Sequence, residues 1–467
     1  MNRKLIFLLM MLVVIIFFVG CRKQADIDNF EETTGNVYAE NGLPKDKKIT
    51  VRAIFPVAGH GKEYFELAVK TFQGRFPNVK IDVHWVEEGS VSFSSRMAAL
   101  IQSGDEKGMY DWIYSFDHKL FSELVKMGKL ETQDELWERA LYDKPDVKMK
   151  DIVVADPKAL FFHDGHLYGT THGAKATGLF YNRKLFRDNG WNENPEDWNE
   201  FLQLCEKIKS KGIAPMVMAG KYPYYFTYGW GAIPHEIGGE DYLDAQYRYR
   251  PDQYETKAYI TMLERMEEFA KKGYFHPGTV SFDHTQSQME FLQGKAALIT
   301  NATWIANEMK EVTPADFEWG FMAFPGNERG VEKVVLLSES KSGYIWKNKP
   351  TLTKKWAKEL NLWLLNMDIQ LKFAQSGSMP VRKDFDTDSE GLGISPSVVA
   401  IFSYIQNQDV RFVNNGVRER ELQNVEMAKL GPTIQNGYVS IVNGTKTAKQ
   451  VAAEINRQYK KGLQADK

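Results

Sequence analysis

Cysteine is nearly missing from this chain of 467 residues, which has two, Cys21 and Cys205. Cys205 sits in an apolar helical pattern and reads as a small buried hydrophobe. With Cys21 set apart by its leader, described below, no disulfide can form within the folded body. An excess of basic charge is also missing. Lys plus Arg number 59 against 61 Asp plus Glu, so the chain has no overall pull on a polyanion and nucleic acid is excluded as the expected partner. The uninterrupted apolar run, Leu5 to Val19, falls short of the roughly 20 residues a membrane-spanning helix needs.

Catalytic signatures are equally scarce. Gly59-His60-Gly61-Lys62 has the look of a phosphate loop but lacks the earlier glycine, and Glu63 stands where Ser or Thr would meet magnesium. No Gly-x-Ser-x-Gly elbow occurs. His163-x-x-His166 encloses Asp-Gly, which reads as a turn between strands rather than a metal pair, and no further ligand set accompanies it. The adjacent Glu31 and Glu32 lie outside the folded body. No metal or other cofactor is expected, and neither is catalysis.

What is present begins at the N-terminus. Asn2-Arg3-Lys4 followed by the apolar run and Gly20-Cys21 has the form of an export signal over residues 1–20. A small residue directly before a lone cysteine resembles the bacterial lipobox, with Phe18 where leucine is usual, and makes Cys21 the lipidated first residue of the mature chain. Residues 21–48 are polar and without apolar periodicity, as expected of a flexible tether between lipid anchor and body.

The body, in a chain that is 43% hydrophobic, is long enough for more than one structural unit. Strand-like runs at Ile49–Phe55, Ile81–Trp85 and Asp111–Phe116 alternate with helical spacing at Phe65, Ala68, Val69, Phe72 and Phe76 and again from Met97 to Ile101. This βαβα order predicts a mostly parallel sheet covered by helices. Ligands of such sheets bind beyond the carboxyl ends of the strands, here the loops 56–62, 87–93 and 115–118. A second set follows. Leu179–Tyr181 reads as a short strand, Asn194-Pro195 as a helix start, and Trp198, Phe201, Leu202, Cys205 and Ile208 as that helix's inward stripe. Later strands are expected at Pro215–Ala219, Ala296–Thr300 and Phe317–Phe324, and helices at Trp356–Leu365 and Ile369–Gln375. Thr447-x-x-Gln450 is a capping box opening the last helix.

Several blocks, in order, resemble the family 1 extracellular solute-binding proteins. They are Asp164–Gly169, Gly178–Phe186, Trp198 with Phe201, Phe291–Asn301 with Trp304, Phe373–Gly377 with Met379–Arg382, and Gly444–Ala448 with Ala452–Asn456. The segment Gly104–Trp112 departs from the pattern by lacking a proline before its strand. The resemblance implies an α/β fold of two hinged lobes, with a ligand cleft between them. The N-terminal lobe would comprise 49–173 plus 301–342 and the C-terminal lobe 174–300 plus 343–467, with crossings near Gly173–Thr177, Thr300–Asn301 and Ser342–Tyr344. It further implies a monomer delivering a solute to an ABC permease from the outer face of the cell membrane.

A sugar offers apolar C–H faces and rings of hydroxyls, so its receptor needs flat aromatic platforms beside charged or amide groups. Aromatics reach 13% with 11 Trp and 21 Tyr, most of them serving the core. By resemblance Trp304 is the stacking ring, Tyr225 and Trp230 belong to an aromatic segment of the second lobe, and Lys175 is a polar contact at the first crossing. Glu88 and Asp117 stand in loops after strands, where a carboxylate could bind two hydroxyls. Ser340 and Tyr344 flank the third crossing, and Arg382 lies in a turn that also suits a structural role. The same fold could instead hold a phosphorylated polyol, polyamine or other small polar solute. A secreted glycosidase would need two carboxylates facing each other across the cleft, which nothing in the sequence suggests.

Overall fold

The computed structural model describes residues 36–466 apart from 58–60, 87–92, 116–117, 154–161, 164, 329, 387–390, 415–417, 419–421 and 423. The expected export signal, Cys21, the expected tether as far as residue 35, Glu88 and Asp117 lie outside the described residues. The side chain of Ser340 does too.

Strand β1 (Ile49–Pro56), helix α1 (Glu63–Arg75), strand β2 (Val79–Val86), helix α2 (Phe93–Ser103) and strand β3 (Trp112–Ser115) follow the expected order. β1 pairs in parallel with both β2 and β3. α1 buries Tyr64, Phe65, Ala68 and Phe72, a stripe recurring at helical spacing, and Phe65 stacks on Phe55 of β1 with ring centres 4.6 Å apart.

The next strand of the main sheet, β4, runs from Gly169 to Asn182 and is buried over nearly its whole length. The sequence predicts only Leu179–Tyr181 here. Its first half is Gly, Thr, Ala, His and Lys, residues without an apolar signature, and the strand forms because neighbours clothe it on both sides. Helix α3 (Trp198–Ser210) starts one turn later than Asn194-Pro195 suggests. Asp197 is its N-cap, accepting the backbone N–H of Glu200 at 2.9 Å.

The remaining framework is β5 (Ala214–Val217), α4 (Lys257–Lys271), α5 (His284–Leu292), β6 (Ala296–Ala302), β7 (Trp319–Met322), β8 (Lys333–Ile345), α6 (Thr351–Trp363), α7 (Met367–Gln375), α8 (Pro396–Asn407), β9 (Val410–Val413) and α9 (Ala448–Gln464). The capping box at Thr447 and Gln450 opens α9 as predicted. The sheet runs β2-β1-β3-β8-β4-β6-β5, with β9 on β8 and β7 on β4. It is mixed rather than mostly parallel. β1, β2 and β3 are parallel at one end and β5 and β6 at the other, whereas β4 and β8 pair antiparallel with each other and with β6 and β3 respectively. Two long strands thus tie two α/β lobes together, and β8 breaks register between Ser338 and Ser342.

Packing corrects the expected division of the chain. β7 pairs with Leu179–Asn182, so residues 319–322 lie with the second lobe and not with the first. Conversely, Trp356, Ala357 and Leu360 of α6 share a core with Val51, Ala53 and Phe72, and Phe373 of α7 stacks on Tyr64 at 4.1 Å. Residues 343–375 therefore return to the first lobe. Only later do α8 and α9 rejoin the second, against β7 and α4. Nor is the stretch 36–48 a loose tether. Tyr38 and Leu43 are buried, Tyr38 meets Phe76 edge-on at 4.9 Å, and its hydroxyl donates to Asn78 at 2.7 Å. The burial of these two side chains and the bonds of the Asn78 amide, which donates to Pro44 O at 3.0 Å and Lys47 O at 2.9 Å, hold this polar stretch on the first lobe.

Candidate ligand site

β5 and β6 are parallel, so the loops that leave them emerge at the same carboxyl edge of the second lobe. The loop after β5 is held in place by backbone bonds. Gly220 N–H donates to Thr279 O at 2.9 Å and Lys221 N–H to Phe282 O at 3.0 Å. Pro223, with its preset φ, then starts a short 3-10 turn, Pro223–Phe226, that passes into a helical turn at Thr227–Trp230. Gly229 permits that turn to lie flat on the sheet. A Cβ there would stand 2.8 Å from the Phe324 ring and 2.9 Å from Thr300. The rings of the loop are thereby presented along the edge.

Trp304 follows β6 directly and is half-buried. Tyr228 meets its ring edge-on at 5.8 Å, Tyr225 lies 4.8 Å from Tyr228, and Tyr224 lies 5.0 Å from Tyr225. From the crossing strand β4, buried Lys175 reaches across to place its ammonium 4.6 Å from the Trp304 ring centre, within cation–π range. Burial, reinforced by the neighbouring hydroxyls of Tyr228 and Tyr224 and the carboxylate of Glu308, pushes the Tyr225 phenol far above its usual range, so it stays a neutral donor. Gln288 of α5 donates to Glu308 at 2.8 Å, fixing that carboxylate beside the rings. The resulting surface combines flat apolar faces with a cation, a phenol and a carboxylate, a set suited to a polyhydroxylated guest.

Of the residues singled out in the sequence, Trp304, Lys175 and Tyr225 are brought together here. Trp230 is not. It is fully buried, with Phe324 at 4.6 Å and Phe269 at 5.4 Å, and belongs to the second-lobe core. Its ring points inward because the helical turn after Thr227 places it on the face opposite Tyr228. Tyr344 is also buried, stacked on Phe121 at 5.2 Å in the first lobe. Arg382 is sealed off completely. Its guanidinium binds Asp143 at 2.6 Å, Asp384 at 2.8 Å and the Leu365 carbonyl at 3.0 Å, which makes it a structural clamp. Ser340 lies in β8 at the register break, where the backbone pairing with β4 is interrupted. Tyr224 and Tyr228, which line the same edge, are not singled out by the sequence. The run Tyr222 to Tyr228 signals an aromatic loop, but which rings face outward depends on the 3-10 turn at Pro223.

Among the described residues no group of three His, Cys, Asp or Glu side chains is placed to hold a metal, and no helix is long and apolar enough to cross a membrane. The pair His163 and His166 forms the ends of a two-strand hairpin, and His166 bonds Asp134 at 2.7 Å.

The diacetylchitobiose-binding protein NgcE of Streptomyces coelicolor is 25% identical over 305 residues, covering 65% of this chain and 63% of the relative, so the chain spans less than two thirds of that curated relative's length. The sugar-binding protein MalE of Xanthomonas citri superposes with a TM-score of 0.69 at 18% identity, covering 89% of this chain and 98% of that one. A chitin oligosaccharide binding protein superposes with a TM-score of 0.63 at 17% identity, covering 89% and 100%. The sequence model of the bacterial extracellular solute-binding proteins matches residues 58–370, two thirds of the chain, and this protein is a member of that family.

Proposed function

We propose that this protein captures a carbohydrate between its two lobes and delivers it unaltered to the permease of an ABC importer. The observation that carries this reading is the half-exposed Trp304 ring at the carboxyl edge of β6, flanked by Tyr228 and overhung by the Lys175 ammonium. Trp304 is the stacking platform, Lys175 a cationic partner for ring or hydroxyl oxygens, and Tyr225 a phenolic donor. Glu88, Asp117 and Ser340 are first-lobe and crossing contacts that meet the ligand as the lobes close. The names of relatives that bind diacetylchitobiose and chitin oligosaccharides support a saccharide as the guest.

Closure turns on the two crossing strands, at Gly173–Thr177 of β4 and the register break of β8, where few backbone torsions need change. The ligand-closed form is what the permease recognises. Cleavage at Gly20 and acylation of Cys21 hold the monomeric protein at the outer face of the cell membrane.

A thermal-shift screen of the mature protein against neutral sugars, phosphorylated polyols and polyamines tests the reading. A ligand at 100 times its dissociation constant adds about 2.7 kcal/mol of stability, a readily measured rise in Tm. Stabilisation by sugars supports carbohydrate capture. Stabilisation by phosphorylated compounds alone, or recovery of cleaved saccharide, overturns it.

A further inference from the structure

We infer that the second lobe carries an outer sugar subsite, built by Tyr222 stacked on His284, so that the ligand is an oligosaccharide of three or more units. The inference rests on the carbohydrate reading and extends it from the kind of ligand to its length. Tyr222 and Tyr224 are 37% and 38% exposed, and among the described residues no other aromatic ring stands with the exposed large hydrophobic side chains. Scattered exposed apolar residues are ordinary, whereas two tyrosines in one loop beside a proposed binding edge form a patch.

The pair is built rather than accidental. His284, the first residue of α5, lies flat on Tyr222 with ring centres 4.0 Å apart and planes 7° from parallel. It is set there by the capping box of Asp283 and Gln286 and by the Lys221 N–H bond to Phe282. Buried His284 Nδ1 has no hydrogen-bond partner among the described residues. α5 leads into β6 through the turn at Gly294, whose φ of 72° favours glycine. The helix therefore runs back along the strand, and its N-terminus stands at the same carboxyl edge as Trp304.

From Tyr222 the ring centres step 6.2 Å to Tyr224, 5.9 Å to Tyr228 and 5.8 Å to Trp304. A pyranose is about as wide as a single tyrosine ring. One sugar unit seated on Trp304 leaves the Tyr222 platform uncovered, and a longer chain following the edge reaches it.

Titration calorimetry with chito-oligosaccharides and malto-oligosaccharides of one to five units tests this on the mature protein, on Tyr222→Ala, and on the ring-preserving Tyr222→Phe. In the series that binds, affinity should rise between two and three units. Tyr222→Ala should lose about fivefold for the longer chains and less than about twofold for the disaccharide, with Tyr222→Phe restoring the wild-type pattern. His284→Ala should produce the same length-selective loss. Affinity that is flat beyond two units, or an equal loss at every length, overturns the outer subsite while leaving carbohydrate capture standing. Failure of every chain of both series to bind overturns the subsite, and if the wider thermal screen also finds no sugar, carbohydrate capture falls with it.

Discussion

The ammonium of Lys175, on the strand that joins the lobes, lies 4.6 Å from the centre of the Trp304 ring, which follows a strand of the second lobe. This contact joins the crossing strand β4 to the proposed binding surface. Trp304→Ala should weaken sugar binding by about tenfold or more, the scale of a lost aromatic stack together with its cation. Calorimetry on the folded variant checks it. An unchanged dissociation constant would remove Trp304 from the site.

Trp230 should behave in the opposite way. It fills the second-lobe core between Phe324 and Phe269 with no exposed surface. Trp230→Ala should cost about 3–5 kcal/mol of stability, read from denaturant unfolding, while the molecules that remain folded bind sugar as before.

The clamp at Arg382 predicts acid sensitivity. Hydrogen bonding to Arg382, followed by Lys144, holds the Asp384 carboxyl well below its ordinary value of 3.8. Because the folded-state value is depressed, this stabilisation is present above about pH 4 and is lost as pH falls further. Arg382→Met should flatten that acid limb. It should also lower stability at neutral pH by about 3 kcal/mol, since Asp143 and Asp384 lose the buried guanidinium they share, while keeping the Met367 N–H and Lys144 respectively. Tm measured from pH 3 to 7 distinguishes the two effects.

A buried carboxyl in the second lobe predicts the reverse slope. Burial pushes Glu236 up to about 8, against the pull of Lys333, Arg265 and the Val334 N–H, and neighbouring His235 is pushed down to about 3. The folded state favours protonated Glu236. Its contribution is full below the ordinary value of 4.5 and disappears as pH rises through 8. Glu236→Gln should therefore raise Tm relative to wild type at pH 9 and change it little at pH 4.5. A gain of equal size at both pH values would assign the effect to packing instead of charge.

Much of the α/β order was legible because apolar side chains recur with the period of the element that buries them, as in β1, α1 and the stripe Trp198, Phe201, Cys205 and Ile208. The first half of β4 was not, since Gly169 to Ala176 carries almost no apolar signal and its burial comes entirely from partners distant in sequence. The fate of the tyrosine run was illegible for a related reason. Trp230 turns into the core, Tyr225 is covered by Tyr228 and His284 at the proposed site, and Tyr222 and Tyr224 stay exposed; that sorting is made by a 3-10 turn and by a helix about sixty residues further on.

By itself the sequence determined the α/β class and the family. These depend on local composition, spacing and block order, which survive without knowledge of contacts. Only the tertiary structure decided that residues 343–375 return to the first lobe, that Arg382 and Tyr344 are internal, and that Lys175 meets Trp304. Each of those facts is a pairing between segments far apart in the chain, chosen by which apolar faces can be buried together, and no single segment encodes its partner.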